Sequence, residues 1–146
     1  MAEPVAVYID GASRGNPGPA GVGVAFVDGK GKVIHTLHKY LGETTNNVAE
    51  YLALVYALHE AQRHGCQRLT TIRTDSELLA RQINGQYKVR DHTLRLFHDL
   101  ARHAMQGFQQ LRIEHVGREQ NREADRLAGK AVDGHRANLT TERAAG

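Results

Sequence analysis

An apolar run, Val5-Ala6-Val7-Tyr8-Ile9, ends on an acid, Asp10, and passes at once into the glycine-rich stretch Gly11-Ala12-Ser13-Arg14-Gly15-Asn16-Pro17-Gly18-Pro19-Ala20-Gly21. The β-branched Val5, Val7 and Ile9 alternate with Ala6 and Tyr8, so both faces can be buried, as in the centre of a sheet. A carboxylate at the end of such a strand is half-desolvated and costly unless something positive meets it. Asp10-Gly11 also reads as an ordinary turn dipeptide. The other acids of the chain must decide between the two readings.

Segments 21–27 and 33–41 read as strands joined by the loop Asp28-Gly29-Lys30-Gly31-Lys32, which predicts an antiparallel meander of three strands. The glycines of the first turn fit neither phosphate-loop nor dinucleotide-loop spacing. From 47 to 64 the period becomes helical, with Val48, Tyr51, Leu52, Val55 and Leu58 along one face and Gly65 ending it. Segment 69–74 is the next strand, reached by a helical crossover and so expected to be parallel to the first. Asp75 closes it as Asp10 closed the first. A helix over 76–83 follows, then the polar 86–91, and then a helix over 93–105 with Leu94, Phe97, Leu100 and Ala101 facing in. A fifth strand covers 109–115, and Asn121 is placed as the cap of a last helix carrying Asp125, Leu127, Ala128 and Ala131. The fold class is α/β, a mixed sheet with helices on both faces. One domain spans 1–133, and 134–146, poor in apolar residues, is expected to be a flexible tail.

The single cysteine, Cys66, forms neither an internal disulfide nor a thiolate metal cage. No run has the length of a membrane span, and the first residues lack the pattern of an export signal. The chain is therefore expected to be cytoplasmic, away from membranes, and a monomer. Its formal charge is +3. Gathering four acids into one site would leave nineteen Lys and Arg against twelve acids elsewhere. A basic surface around an acidic hole suits a polyanionic substrate.

Asp10 and Asp75 finish two strands read as parallel, and ligands of open α/β sheets gather outside the carboxyl ends of such strands. Glu50 and Asp125 fall in the first turns of two helices. Each has an ordinary alternative: Glu50 completing a capping box with Asn47, Asp75 capping a helix, Asp125 answering a helix dipole. Together they point to one hole. Two carboxylates ~4 Å apart repel by roughly 4 kcal/mol at an effective dielectric near 20. Hard dications turn that repulsion into coordination, which favours Mg²⁺ or Mn²⁺, and a pair of them suits phosphodiester hydrolysis.

Tyr8-Ile9-Asp10-Gly11-Ala12-Ser13-Arg14-Gly15-Asn16-Pro17-Gly18, Thr44-Thr45-Asn46-Asn47-Val48-Ala49-Glu50, Thr74-Asp75-Ser76 and Asn121-Arg122-Glu123-Ala124-Asp125-Arg126-Leu127-Ala128 resemble, in order, the four signature blocks of type 1 ribonuclease H. The resemblance implies a five-stranded sheet of order 3-2-1-4-5 and cleavage of the RNA strand of RNA/DNA hybrids with two Mg²⁺ or Mn²⁺ ions. It implies products with 5′-phosphate and 3′-hydroxyl ends, and a catalytic, metal-holding quartet of Asp10, Glu50, Asp75 and Asp125. It also implies substrate contacts at Gly11, Asn16 and Asn46, which would face the RNA 2′-hydroxyls, and at Thr45, which would face a DNA phosphate. An auxiliary role falls on Arg118 or on His115, with Arg118 favoured because it lies in the loop and can hold phosphate bidentately. Residues 85–91 leave no room for the basic protrusion of many bacterial members, so the chain resembles the compact, archaeal-type branch, some of whose members also cut double-stranded RNA. The alternatives are a silent hybrid-binding module and a DNA-acting nuclease of the same superfamily.

Overall fold

The computed structural model describes the backbone of residues 3–145 and the side chains of 3–135. The meander is β1 (Ala6–Ser13), β2 (Gly18–Val27) and β3 (Val33–Thr44), followed by α1 (Asn46–Arg63), β4 (Thr71–Thr74), α2 (Glu77–Ile83) and α3 (His92–Met105). Then come β5 (Arg112–His115), a 3-10 turn (Arg118–Asn121) and α4 (Arg122–Ala145). The single sheet has the order β3-β2-β1-β4-β5, with β1 antiparallel to β2 and parallel to β4, and β4 parallel to β5. This is the expected mixed sheet. β4 and β5 are shorter than read from sequence, because 69–70 and 109–111 approach the sheet without joining the ladder.

α1 crosses one face of the sheet with α3 packed on it, and α4 crosses the other against β1, β2 and β3. On the α1 face Val7, Ile9, Val22, Val24 and Phe26 meet Tyr51, Leu54 and Leu58 in a fully buried core. On the α4 face the sheet supplies glycines. A Cβ on Gly23 would collide with the Ala124 carbonyl, and one on Gly21 would lie 2.9 Å from the Ala131 methyl. The missing side chains let α4 lie directly on the backbone of β2. α4 starts beside Asp10, because Asp10 and Gly23 are register partners.

α1 begins at Thr45, whose hydroxyl accepts the Val48 N–H at 3.2 Å, and ends before Gly65 at φ +64°. In α3, Leu94 and Ala101 are buried, one heptad apart on the face toward α1, while Leu100 is about half exposed, contrary to expectation. Six residues after Leu94 the helix has rotated well off that face. Between α2 and α3 lie only residues 84–91, so no protrusion interrupts the surface. β3 is a twelve-residue edge strand with two bulges: the pairing skips Ile34 and Leu41. α4 continues past 134 to Ala145. The expected flexible tail falls mostly on side chains outside the described residues.

Candidate active site

The parallel ladder between β1 and β4 closes with the pair Ile9↔Thr74, and the next residue on each strand is an acid, Asp10 and Asp75. β1 continues to Ser13 only through its pairing with β2. The two aspartates thus lie side by side where the sheet opens. Ser76, not Asp75, caps α2, accepting the Leu79 N–H at 3.1 Å, so the Asp75 carboxylate is left for the opening.

Glu50 lies one turn inside α1 rather than in its first turn, and the capping box with Asn47 does not form, since Thr45 is the cap. The Glu50 carboxylate instead accepts the backbone N–H of Gly11. A Cβ on Gly11 would collide with the Ala49 carbonyl and the Glu50 amide, so a glycine is required for α1 to come this close. Acidic oxygens of Asp10, Glu50 and Asp75 lie within 4.8 Å of one another. Asp125, exposed in the first turn of α4, lines the same cleft.

Asp10 is 5% exposed and Glu50 7%, so three acids converge with two of them out of water. Burial, and then the negative charges of Glu50 and Asp75, push the Asp10 carboxyl far above the usual carboxylate range, and hydrogen bonds with Glu50 and Asp125 act in the same direction. Glu50 is raised as well, chiefly by burial. The Gly11 N–H, the Asp10 hydrogen bond and the Arg118 charge work the other way. Such a set is tolerable protonated or filled with cations. A donor set made only of carboxylate oxygens fits hard dications of the magnesium kind.

Arg118 opens the 3-10 turn and lines the cleft, whereas His115, exposed at the end of β5, is not among the lining residues. Across the cleft the Asn16 Oδ1 accepts the Asn46 N–H at 3.0 Å, and the Ser13 hydroxyl donates to the Thr44 carbonyl at 2.9 Å. The β1–β2 turn is thereby lashed to the start of α1. Gly11 and Asn46 line the cleft, Thr45 caps the helix between, and Asn16 stands on the turn beside them.

Two contributors were not legible. Ser13, in the cleft wall, looks like any turn serine. Asn121, expected as a helix cap, is buried and donates its Nδ2 to the Ile9 carbonyl at 2.9 Å, tying the Arg118 turn to the strand that carries Asp10. Its Oδ1 has no partner among the described residues. Only the cluster Asn121–Asp125 hinted that this residue serves the site.

A 3-2-1-4-5 mixed sheet with carboxylates at the open end of β1 and β4 defines the ribonuclease H-like class of folds. The family model described as "Reverse transcriptase-like" matches residues 8–131. The ribonuclease HI of Halobacterium salinarum is 43% identical over 88% of this chain and 64% of its own length, so this chain spans under two thirds of that relative. A crystal structure of RNase H1 from the same organism superposes with a TM-score of 0.86 at 42% identity, covering 89% of this chain and 98% of that one. A ribonuclease H of Pseudomonas entomophila is 35% identical over 94% of this chain and 99% of its own. LC11-RNase H1, solved in complex with an RNA/DNA hybrid, is 43% identical with a TM-score of 0.83, covering 89% of this chain and 97% of that one. This chain belongs to the type 1 ribonuclease H family.

Proposed function

We propose that the chain is an endoribonuclease that hydrolyses the RNA strand of RNA/DNA hybrids, leaving 5′-phosphate and 3′-hydroxyl ends. The observation that carries this is the convergence of Asp10, Glu50 and Asp75, two of them buried, beside Asp125. Four acids would repel a phosphodiester unless cations intervene. Asp10, Glu50, Asp75 and Asp125 would hold two Mg²⁺ or Mn²⁺ ions, which when bound supply water activation and stabilisation of the leaving oxygen.

The protein's own groups position the reaction. The Gly11 N–H fixes the Glu50 carboxylate, and Asn121 holds the Arg118 turn against β1. Arg118 offers a planar, permanently charged donor fork to a phosphate beside the acids. Asn16 and Asn46 would read 2′-hydroxyls with amide groups that both donate and accept, and Thr45 would meet a phosphate of the DNA strand. The Gly11 N–H already serves Glu50, so a substrate contact at this position falls to neighbouring backbone groups.

The reading extends to a monomer that also cuts double-stranded RNA, as some members of the compact, archaeal-type branch do, and the short passage of residues 84–91 between α2 and α3 accords with that branch. One labelled-strand assay tests the whole: hybrid, double-stranded RNA, single-stranded RNA and duplex DNA, each with Mg²⁺, Mn²⁺ or chelator. RNA-strand cleavage of hybrid that needs the metal is expected. Wild-type cleavage by folded Asp10→Asn or Asp75→Asn protein would overturn it.

A further inference from the structure

Glu60, near the C-terminal end of α1, is 9% exposed, and nothing in the proposed nuclease chemistry uses it. A buried carboxylate demands partners. Its partners here are two imidazoles aimed at one oxygen: the His64 Nε2 lies 2.8 Å from Oε1 and the His35 Nε2 3.6 Å from it. Arg63 also approaches, at 3.9 Å, but its side chain is 67% exposed and can swing into solvent.

The imidazoles are oriented by their surroundings. His35 stands on edge strand β3 with its ring 5.7 Å from that of Phe26 and 4.9 Å from that of His64. His64 is the C-cap of α1, its backbone N–H directed at the Glu60 and Gln62 carbonyls. Glu60 and His64 are four apart on one helix and so share a face. One donor atom from each of the three residues lies within 4.8 Å of the others.

We propose that His35, Glu60 and His64 form a second metal site, one that takes a transition-metal dication of the zinc class. Bonds of ~2.0 to 2.2 Å from a tetrahedral ion leave its donor atoms about 3.3 Å apart, so the two separations from Glu60, 2.8 and 3.6 Å, each need an adjustment of about half an ångström or less, and the exposed imidazoles can turn to close the third. Two imidazole nitrogens and one carboxylate select zinc-like ions over magnesium, the reverse of the preference at the all-carboxylate cleft. The half-exposed histidines leave a fourth position to water. Ten residues of helix separate Glu60 from Glu50, about 15 Å along the axis, so the two sites are distinct. An ion here would pin edge strand β3 to the end of α1.

The test titrates the full chain carrying Asp10→Asn and Asp75→Asn with Zn²⁺ by calorimetry and with Co²⁺ by visible absorption, in excess Mg²⁺. Those substitutions disable the cleft, so the outcome does not depend on the nuclease reading. One equivalent bound, a tetrahedral Co²⁺ spectrum, and affinity at least tenfold weaker in His64→Gln and in Glu60→Gln are expected. His35→Gln, on an exposed edge, changes the packing least and serves as the variant in which folding is not at issue. Absence of Zn²⁺ binding, or affinity unchanged by His35→Gln and His64→Gln, would overturn the proposal.

Discussion

Gly11 shows how much one hydrogen atom can decide. Its N–H orients Glu50, and its missing Cβ leaves room for the Ala49 carbonyl. Gly11→Ala must push α1 away from β1, at a cost of about 1 to 3 kcal/mol for an overpacked core contact. Thermal melts are expected to show a drop of several degrees, and hybrid cleavage is expected to fall further than stability alone would explain, because Glu50 moves with the helix. Arg118 makes the complementary case. Arg118→Ala is expected to lower kcat roughly 10²-fold, as removal of a charge-stabilising donor does, with Arg118→Lys recovering only part of it. His115→Ala, outside the cleft lining, is expected to leave steady-state kinetics unchanged. A loss at His115 equal to that at Arg118 would reverse the assignment.

At the scale of elements, the direct passage from α2 to α3 removes a place where lysines and arginines could grip a duplex. Binding of hybrid by the Asp10→Asn protein, followed by anisotropy across a salt series, should therefore have a shallow log–log slope. Each lysine grafted between Gly85 and Asp91 that reaches a phosphate should steepen it by about 0.7 to 0.9. The same scale explains what could be read from residues alone. β1 announced itself because Val7 and Ile9 line one face and Ala6 and Tyr8 the other, a run that can be buried on both sides, and the acids that follow the last β1–β4 pair, Ile9↔Thr74, come from a parallel register that puts Asp10 beside Asp75. Capping was less legible: as a residue type Asn47 is the better cap, and the choice of Thr45 depends on how β3 delivers the chain to α1. Asn121 was misread because its partner, the Ile9 carbonyl, is 112 residues away. Leu100 was misplaced because α3 packs mainly on α1 and meets α2 only at its edge, so the stripe it buries is narrower than its apolar pattern suggests.

For the molecule as a whole, the cleft is a liability to stability that cations relieve. The folded-state pKa of Asp10 lies above its ordinary value of 3.8. The folded protein therefore binds more protons than the unfolded chain in that window. Its cost is absent below pH 3.8, grows as the pH rises toward the folded-state pKa, and is complete above it. In chelator, the melting temperature should accordingly decline from mildly acidic to mildly alkaline pH. Asp75→Asn, which removes one repelling charge, should raise it by about 2 °C or more at pH 8, on the usual scale of a 1 kcal/mol change in a chain of this size. Mg²⁺ or Mn²⁺ should raise the wild type and move the variant less. Equal responses in the two proteins would show that the acids do not share an ion.

The two bulges of β3 bear on the molecule's behaviour in company. A straight, twelve-residue rim of open amides invites another chain to zip alongside, whereas extra residues at Ile34 and Leu41 bend and twist that rim out of register with any regular strand. The outer border of the sheet can therefore stay unpaired at high concentration, and removing both extra residues would give it a flat margin on which fibres could start.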